Sequence, residues 1–305
     1  MLLKVTFLGT AGTIPSPNRN PSSILIQFEG IRLLFDCGEG TQRQMMVAKT
    51  GFKIDSVFIT HTHTDHFIGL FGLIETLSLN ERTEKLRIFV PEEDVKFVTT
   101  LFRMFGYQNL RYPIEISGLK DGDEVNFGKF KIVAFRTDHI IPSLGYALIE
   151  RDRPGKFDRA KAESLGIPPG PLYSKLVRGE SVIVNGRIIT PDMVVGPKRK
   201  GRKVVYTGDT RPTERTVEIS KNADLLIHDA SFTDELKDWA IQTKHSTARE
   251  AAEIARKANV ELLILTHISA RYAKDPTPLL NEAKEVFENV MVAEDLMSLE
   301  VKYKD

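Results

Sequence analysis

Three of the seven histidines in this chain lie within six residues, in the run His61-Thr62-His63-Thr64-Asp65-His66. Imidazole nitrogens and carboxylate oxygens are good ligands for zinc and similar metals. The run follows residues 55–60, a short β-branched and aromatic segment that is typical of a buried strand. We therefore expect the ligands at the C-terminal end of a strand, where α/β sheets usually place their sites. The spacing suits two metals on one loop; the alternative is a polar loop whose histidines have no function.

Composition limits the class of protein that the chain can be. Its 42 Lys and Arg residues nearly balance 41 Asp and Glu residues, so a nucleic-acid partner needs a local basic patch. Cys37 is the only cysteine, which excludes an intramolecular disulfide and a zinc site built on several thiolates, and suits a reducing compartment. No apolar stretch reaches the roughly 20 residues that a membrane helix needs. The sequence predicts a soluble cytoplasmic protein without a membrane partner.

Alternating strands and helices along the chain predict an α/β fold. The predicted strands are 3–8, 23–28, 31–35, 55–60, 86–90, 111–116, 125–127, 130–135, 203–206, 224–228 and 261–265. The predicted helices are 40–49, 67–79, 92–105, 214–220, 246–259 and 278–289. Either Ser246 or Thr247 would cap the fifth of these helices, with Glu250 as the capping-box partner.

Residues 151–203 differ from the rest of the chain in composition. They contain 13 Lys and Arg residues against five Asp and Glu residues, and they are rich in Pro and Gly. This local balance of +8 leaves −7 for the remainder, because the whole chain carries a formal net charge of +1. The densest basic part includes Lys198, Arg199 and Lys200. The pattern predicts an arm inserted at about 151–197 into a single domain of residues 1–305.

Further candidate ligands follow other predicted strands. One loop cannot fill the coordination spheres of two metals, so ligands from elsewhere in the chain are needed. His139, Asp209 and His267 each come just after a predicted strand, and Gly208 permits a tight turn before Asp209. Four ligand groups at four strand ends form one constellation. His228 also ends an apolar strand, and there a structural role is the favoured interpretation.

The H-x-H-x-D-H run, followed by separate His, Asp and His positions at strand ends, resembles the metallo-β-lactamase superfamily. That superfamily has an αββα sandwich fold with the metals at one edge. Within it the chain resembles the ribonuclease Z family, endonucleases that remove the 3′ trailer of precursor tRNA. The similarity runs almost end to end. It is carried by residues 7–10, 35–42, 142–146, 207–211 and 265–272, by the H-S-T sequence at 245–247, by 228–231, and by 169–176 in the basic insert.

The resemblance implies two zinc ions per subunit, with manganese as the other possibility. The implied ligands are His61, His63 and His139 for one ion, Asp65, His66 and His267 for the other, and Asp209 as a bridge. Two ions about 3.5–4 Å apart can share a hydroxide and clamp both sides of a phosphoryl displacement. The resemblance therefore implies hydroxide attack on the phosphodiester, with Asp65 orienting or deprotonating the water.

The leaving 3′ oxygen of the RNA needs a proton, and the resemblance assigns this role to His245, oriented by Asp229. A neighbouring carboxylate favours the imidazolium form, which suits an acid near neutral pH. The family often has Glu at the position of Asp229, which is one methylene shorter. Without the family signature, His245 reads as a surface residue before a helix cap. The residues implied in substrate binding are Arg271, on a phosphate, and Gly170, Pro171, Leu172, Lys175, Lys198, Arg199 and Lys200, in a tRNA-gripping arm.

Three functions compete at this point. The first is an endoribonuclease that cuts precursor tRNA at its 3′ side and leaves a 3′-hydroxyl on the tRNA. The second is a small-molecule hydrolase of the same fold, acting on thioesters, lactones or phosphodiesters; the basic insert speaks against it, because a small substrate needs no arm. The third is a tRNA- or metal-binding protein without turnover, against which the complete ligand set speaks. The resemblance further implies a homodimer in which one subunit's arm presents tRNA to its partner's site.

Overall fold

Two seven-stranded sheets form the centre of the fold. The computed structural model describes residues 2–304. In spatial order, the first sheet contains β16 (Ser298–Glu300), β1 (Leu3–Gly9), β2 (Ser23–Phe28), β3 (Ile31–Phe35), β4 (Ser56–Phe58), β5 (Leu86–Pro91) and β6 (Ile114–Leu119). The second contains β15 (Val290–Val292), β14 (Leu262–Thr266), β13 (Leu225–Asp229), β12 (Lys203–Tyr206), β9 (Leu144–Glu150), β8 (Phe130–Arg136) and β7 (Glu124–Asn126). Strands β3 to β6 are parallel, as are β12 to β15, and the other neighbours are antiparallel.

Apolar side chains on both faces of the strands bury the sheets against each other and against helices. In β2, Ile24 and Ile26 face the core between the sheets, whereas Leu25 faces outward, as the two-residue period of a strand requires. The helices against the first sheet are α1 (Thr41–Val47), α2 (Thr64–Phe67), α3 (Gly69–Leu79) and α4 (Val95–Met104). Those against the second are α7 (Glu214–Ser220), α9 (Ala248–Ala258) and α10 (Thr277–Lys284). This is the predicted αββα sandwich.

The cap of α9 fixes the segment that carries His245. Thr247 is the N-cap: its hydroxyl accepts a bond from Glu250 N at 3.2 Å, and the Glu250 carboxylate accepts one from Thr247 N at 3.0 Å. Ser246 points elsewhere and donates to Thr210 O at 2.6 Å. The short helix α8 (Lys237–Thr243) precedes this segment. The capping box therefore ties α9 to the loop that begins at His245.

The sequence patterns did not identify every element. Strand β9 was not predicted because Gly145 interrupts its pattern; a Cβ there would overlap the Phe135 ring on β8. Helix α4 begins at Val95 after a 3₁₀ turn at 92–94, rather than at residue 92. Helix α10 ends at Lys284, and the chain after it packs Phe287 against the core under the second sheet.

The basic segment between β9 and β12 folds as a separate small unit. It contains α5 (Arg159–Ser164), α6 (Pro171–Val177) and a hairpin of β10 (Val182–Val184) and β11 (Arg187–Ile189). Its buried core consists of Ala162, Ile167, Leu176, Val182, Ile189 and Val194. The two chain segments that enter and leave it pair at Arg153–Arg199 and at Phe157–Val195, and we call this paired region the neck. We call residues 151–202 the arm.

A buried ion pair anchors the base of the arm. The Arg202 guanidinium bonds the Glu150 carboxylate (Nε–Oε2 2.8 Å) and Val301 O (2.9 Å), and it lies 4.0 Å from the centre of the Tyr303 ring. Such a pair is stable when its remaining donors are also bonded, as they are here. Among residues 2–304, no helix combines the length and the apolar character needed to cross a membrane.

Candidate metal centre

Four segments at strand ends place their polar side chains at one edge of the sandwich. The run that starts at His61 follows β4, His139 follows β8, Asp209 follows β12 and His267 follows β14. Gly208 adopts a left-handed conformation (φ 60°), and a Cβ there would lie 2.8 Å from Thr60. This turn therefore needs glycine for both its conformation and its closeness to the His61 loop. It brings ligand candidates from both sheets together.

The first ligand group contains His61, His63, His139 and Asp209. His63 Nδ1 lies 3.0 Å from His61 Nε2 and 3.2 Å from His139 Nε2. Asp209 Oδ2 lies 3.6 Å from His61 Nε2 and 3.9 Å from His139 Nε2. Ligand atoms at ~2.0–2.1 Å from one tetrahedral zinc would lie about 3.3 Å apart. The four side chains thus fit a single divalent ion.

The second ligand group contains Asp65, His66 and His267. Asp65 Oδ2 lies 3.6 Å from His66 Nε2 and 3.5 Å from His267 Nε2. Asp209 reaches this group as well, with Oδ1 at 3.2 Å from His66 Nε2 and Oδ2 at 3.3 Å from His267 Nε2. Asp209 therefore lies between the two groups, in the position that a bridging carboxylate requires. All seven residues of the predicted ligand set converge here.

Outer hydrogen bonds fix the orientation of the imidazoles. His66 Nδ1 lies 2.7 Å from Asp36 Oδ2, and His267 Nδ1 lies 2.9 Å from the Ser231 hydroxyl. Similarly, His139 Nδ1 lies 3.1 Å from Lys244 O. A bond at Nδ1 leaves Nε2 free for a metal, which is how metal-ligating histidines are usually held. Sequence reasoning did not propose Asp36 or Ser231; their only signal was that they lie in segments that resemble the family.

The electrostatics of the cluster fit a cation. Burial lowers the pKa of His61 well below its usual value, and neighbouring His66 adds to the effect. Burial also opposes the charged form of His66, but the Asp209 and Asp36 carboxylates outweigh it and raise the pKa of His66 well above its usual value. His66 Nε2 and Asp209 Oδ1 are both buried without a well-formed hydrogen bond. Two such atoms facing each other are suitable ligands for a divalent ion.

His245 lies beside the cluster in contact with Asp229. The shorter side chain of Asp229 still reaches it: Oδ2 is 2.9 Å from His245 Nδ1, and Oδ1 accepts a bond from Ser231 at 2.7 Å. Burial lowers the pKa of His245, but the Asp229 charge and hydrogen bond outweigh it and raise the pKa to about 9. His245 Nδ1 is 3.9 Å from Asp209 Oδ2. The geometry places a charged imidazolium at the edge of the ligand cluster.

The remaining candidates lie in three places. His228 is fully buried and its Nδ1 bonds Asp229 O at 2.8 Å, outside the ligand groups. Arg271 is exposed and lines a cavity together with His245 and His267. The other predicted substrate contacts belong to the arm: Gly170, Pro171, Leu172 and Lys175 at the start of α6, Arg199 in the paired neck, and the exposed Lys198 and Lys200.

The αββα sandwich and the ligand cluster at its edge define a hydrolase of the metallo-β-lactamase fold that uses divalent metal. Comparison with known protein families supports this assignment. The model of the beta-lactamase superfamily domain matches residues 192–268, and that of the anti-Pycsar protein Apyc1 matches residues 3–153.

Individual relatives narrow the class. The chain is 67% identical to the ribonuclease Z of Archaeoglobus fulgidus, with 100% of both chains covered. It is 53% identical to that of Methanosarcina acetivorans, with 99% of both covered. Among solved structures, human tRNase Z, short form, has a TM-score of 0.68 at 28% identity, with 98% of this chain and 99% of that chain covered. The chain belongs to the ribonuclease Z family and is a hydrolytic endoribonuclease.

Replacing Asp36 by Asn should weaken metal binding without removing any ligand. The amide cannot supply the charge that holds His66, so we expect about 10- to 100-fold lower metal affinity. Metal content after dialysis against buffered zinc measures this. The matched control is Asp121→Asn, a carboxylate that bonds Arg136 N and Arg215 at the surface. If both variants retain the metal content of the parent protein, Asp36 does not support the site.

Proposed function

We propose that the chain removes the 3′ trailer from precursor tRNA and leaves a 3′-hydroxyl on the tRNA. The proposal rests mainly on one observation: the His245–Asp229 pair lies beside a cluster of seven metal-ligand side chains, with a basic arm on the same chain. The named relatives and human tRNase Z support the choice of substrate. The lone, buried Cys37 suits the cytoplasm, where we propose that the enzyme acts.

The two ligand groups support two ions per subunit, zinc or alternatively manganese. His61, His63 and His139 would hold one ion, and Asp65, His66 and His267 the other, with Asp209 between them. When bound, such ions supply an activated water and neutralise the developing charge on phosphate. The ring nitrogens are held by protein groups, so the site is organised before substrate arrives.

Asp65 and His245 would move the two protons of the reaction. Burial raises the pKa of Asp65, but its bond to His267 and the nearby imidazoles outweigh this and lower the pKa to about 2. Asp65 is therefore ionised and can orient the attacking water, and it could take the proton of that water once a bound ion had made the water acidic. Water forms the new bond to phosphorus, and the bond from phosphorus to the 3′ oxygen breaks. His245, charged at neutral pH, donates its proton to that oxygen, which gives the 3′-hydroxyl.

The arm disfavours a small-molecule substrate. Lys156, Lys161, Lys175 and Arg187 are exposed on it, and phosphate contacts by such residues dominate the affinity for nucleic acids. The arm leaves the domain at the C-terminal end of β9 and the N-terminal end of β12, whereas Asp209 follows the other end of β12. The seven residues of β9 span about 20 Å, so the arm begins roughly that far from the ligand cluster of its own chain. We propose a homodimer in which each arm grips tRNA for the partner's site.

The decisive experiment is cleavage of a labelled precursor tRNA with a 3′ trailer. The product should end near the unpaired 3′ nucleotide and carry a 3′-hydroxyl, and a chelator should stop the reaction until zinc or manganese is added back. The chelator effect follows because the site's own groups lack the activated water that the ions supply. Turnover of thioesters or lactones together with an intact precursor would refute the proposal.

Substitution of His245 or Asp229 should slow cleavage most on a substrate whose leaving oxygen must be protonated. We expect His245→Ala to lower kcat on precursor tRNA about 10²–10⁴-fold, the usual contribution of a general acid. Asp229→Asn should have a smaller effect, because the imidazole remains. Both losses should shrink strongly on bis(p-nitrophenyl) phosphate, whose leaving group needs no proton. Equal losses on both substrates in single-turnover assays would argue against an acid role.

Deleting the arm should separate tRNA binding from chemistry. Gly155 and Gly196 lie side by side in the neck, where Gly196 N bonds Lys156 O at 2.9 Å, so residues 156–195 can be removed by joining these two glycines. We expect KM for precursor tRNA to rise at least about tenfold and its salt dependence to weaken, because phosphate contacts are lost. Hydrolysis of bis(p-nitrophenyl) phosphate serves as the control. Equal loss on both substrates would show that the arm only supports the fold.

Mixing two defective chains tests whether the arm acts on the partner. The arm-deleted chain keeps a complete site, and full-length His245→Ala keeps an intact arm. If the arm works across a homodimer, mixing should restore cleavage above the sum of the separate activities. Absence of restoration, with mixed dimers verified by mass, would mean that each arm serves its own site.

A further inference from the structure

A cavity of about 510 Å³ opens beside the metal cluster, on the side of His245. Its walls include His245 and His267 from the site, and Phe232, Trp239 and Ile14 from three different segments. This volume lies within the range of about 300–1,000 Å³ that is typical of sites for small ligands. It can take one nucleotide unit, but not a duplex.

The walls combine aromatic surface with a cation. Trp239, on α8, is 51% exposed, and Ile14 is 66% exposed, although both are large apolar side chains. Phe232 is buried and its ring meets the His245 ring edge to face, with 6.2 Å between the centroids. Arg271 lines the same cavity. A cavity lined by a tryptophan, other apolar side chains and a guanidinium suits a planar heterocycle that carries a phosphate.

We infer that this cavity binds the nucleobase of the nucleotide on the 5′ side of the scissile phosphate, with Trp239 as the stacking residue. The inference rests on the proposed function. His245 gives its proton to the 3′ oxygen of that nucleotide, so the ribose must lie against His245. The base is one bond away from that ribose, and the cavity wall next to His245 is Phe232. The other rings near His245 are those of the ligands His267 and His139, with centroids 4.9 and 5.3 Å away, which would hold the metal.

If the cavity binds this base, it helps to select the phosphodiester that is cleaved. A base that stacks on Trp239 cannot remain stacked in a helix, so the nucleotide before the cut must be unpaired. The cavity would therefore place the scissile bond after a nucleotide that lies outside the paired stem. Any base has a face that can stack, so recognition is of an unpaired base rather than of one sequence.

A double-mutant cycle tests the inference on precursor tRNA. One substrate carries an abasic ribose 5′ to the scissile bond, and the enzyme variants are Trp239→Leu and Trp239→Phe. Loss of a base–aromatic stack commonly costs about tenfold in affinity or more. We expect kcat/KM to fall about tenfold with the abasic substrate or with Trp239→Leu, and to fall less with Trp239→Phe. When Trp239→Leu acts on the abasic substrate, we expect no further loss, because both changes remove the same stacking contact.

Two comparisons make the cycle specific. Phe97→Leu removes an aromatic ring that is 50% exposed on α4, and should leave kcat/KM unchanged. An abasic ribose on the 3′ side of the scissile bond should remain additive with Trp239→Leu. The inference is overturned if Trp239→Leu cleaves at the parent rate, if its loss adds fully to that of the 5′ abasic site, or if coupling appears with the 3′ abasic site instead.

A binding measurement does not depend on turnover. Trp239 is the only tryptophan of the chain, so its fluorescence reports on this cavity. Adenosine 3′-monophosphate should change the emission saturably, whereas ribose 5-phosphate and inorganic phosphate should not. Identical responses to all three would overturn the base site. If precursor tRNA is not cleaved at all, the proposed function fails, and this titration still decides whether the cavity binds a nucleobase.

Discussion

The buried carboxylate of Asp36 joins the two sheets at the edge where the metal ligands lie. It follows β3 in the first sheet and accepts bonds from Thr60 N and from the Tyr206 hydroxyl, which belongs to β12 in the second, each at 2.7 Å. The same carboxylate holds His66 Nδ1. An unpaired buried charge would be costly, so all these contacts must form together. The packing of the sheets and the orientation of a metal ligand thus depend on one group.

The ligand cluster is costly to the apo protein. His61, His66 and Asp209 are almost completely buried, and His61 Nε2, His66 Nε2 and the Asp209 carboxylate oxygens point at one another. His267 also adopts a left-handed backbone conformation, with φ 60°, which is unfavourable for a residue with a side chain. The αββα core offsets these costs, and a bound cation would convert the same contacts into favourable ones. The metal-free protein is therefore less stable than it could be, because its ligand side chains are already arranged for the metal.

The sequence predicted the parts of the fold and site that rest on local patterns. Ligands after strands β4, β8, β12 and β14 were recognisable because each polar residue ends an apolar run. Asp36 and Ser231 were not proposed, because their role depends on which segments meet in space and not on spacing along the chain. Trp239 was missed for the same reason: an exposed aromatic on a short helix gives no signal until the cavity beside it is seen. The arm was recognised by charge, but its small core was not.

The proposed function divides recognition and chemistry between different surfaces of this molecule. The ligand cluster and His245 can act on a phosphodiester of any sequence, so the metal centre alone does not choose a substrate. The arm lies at the far end of β9 and β12, where it would bind the backbone of a folded RNA, whereas the Trp239 cavity lies beside His245 and would be next to the reacting bond. In the proposed homodimer, one RNA must reach the arm of one subunit and the Trp239 cavity of its partner, so only an RNA with the right span satisfies both. Binding energy from both then serves to position one phosphate, and a small shift of that phosphate would slow the reaction sharply.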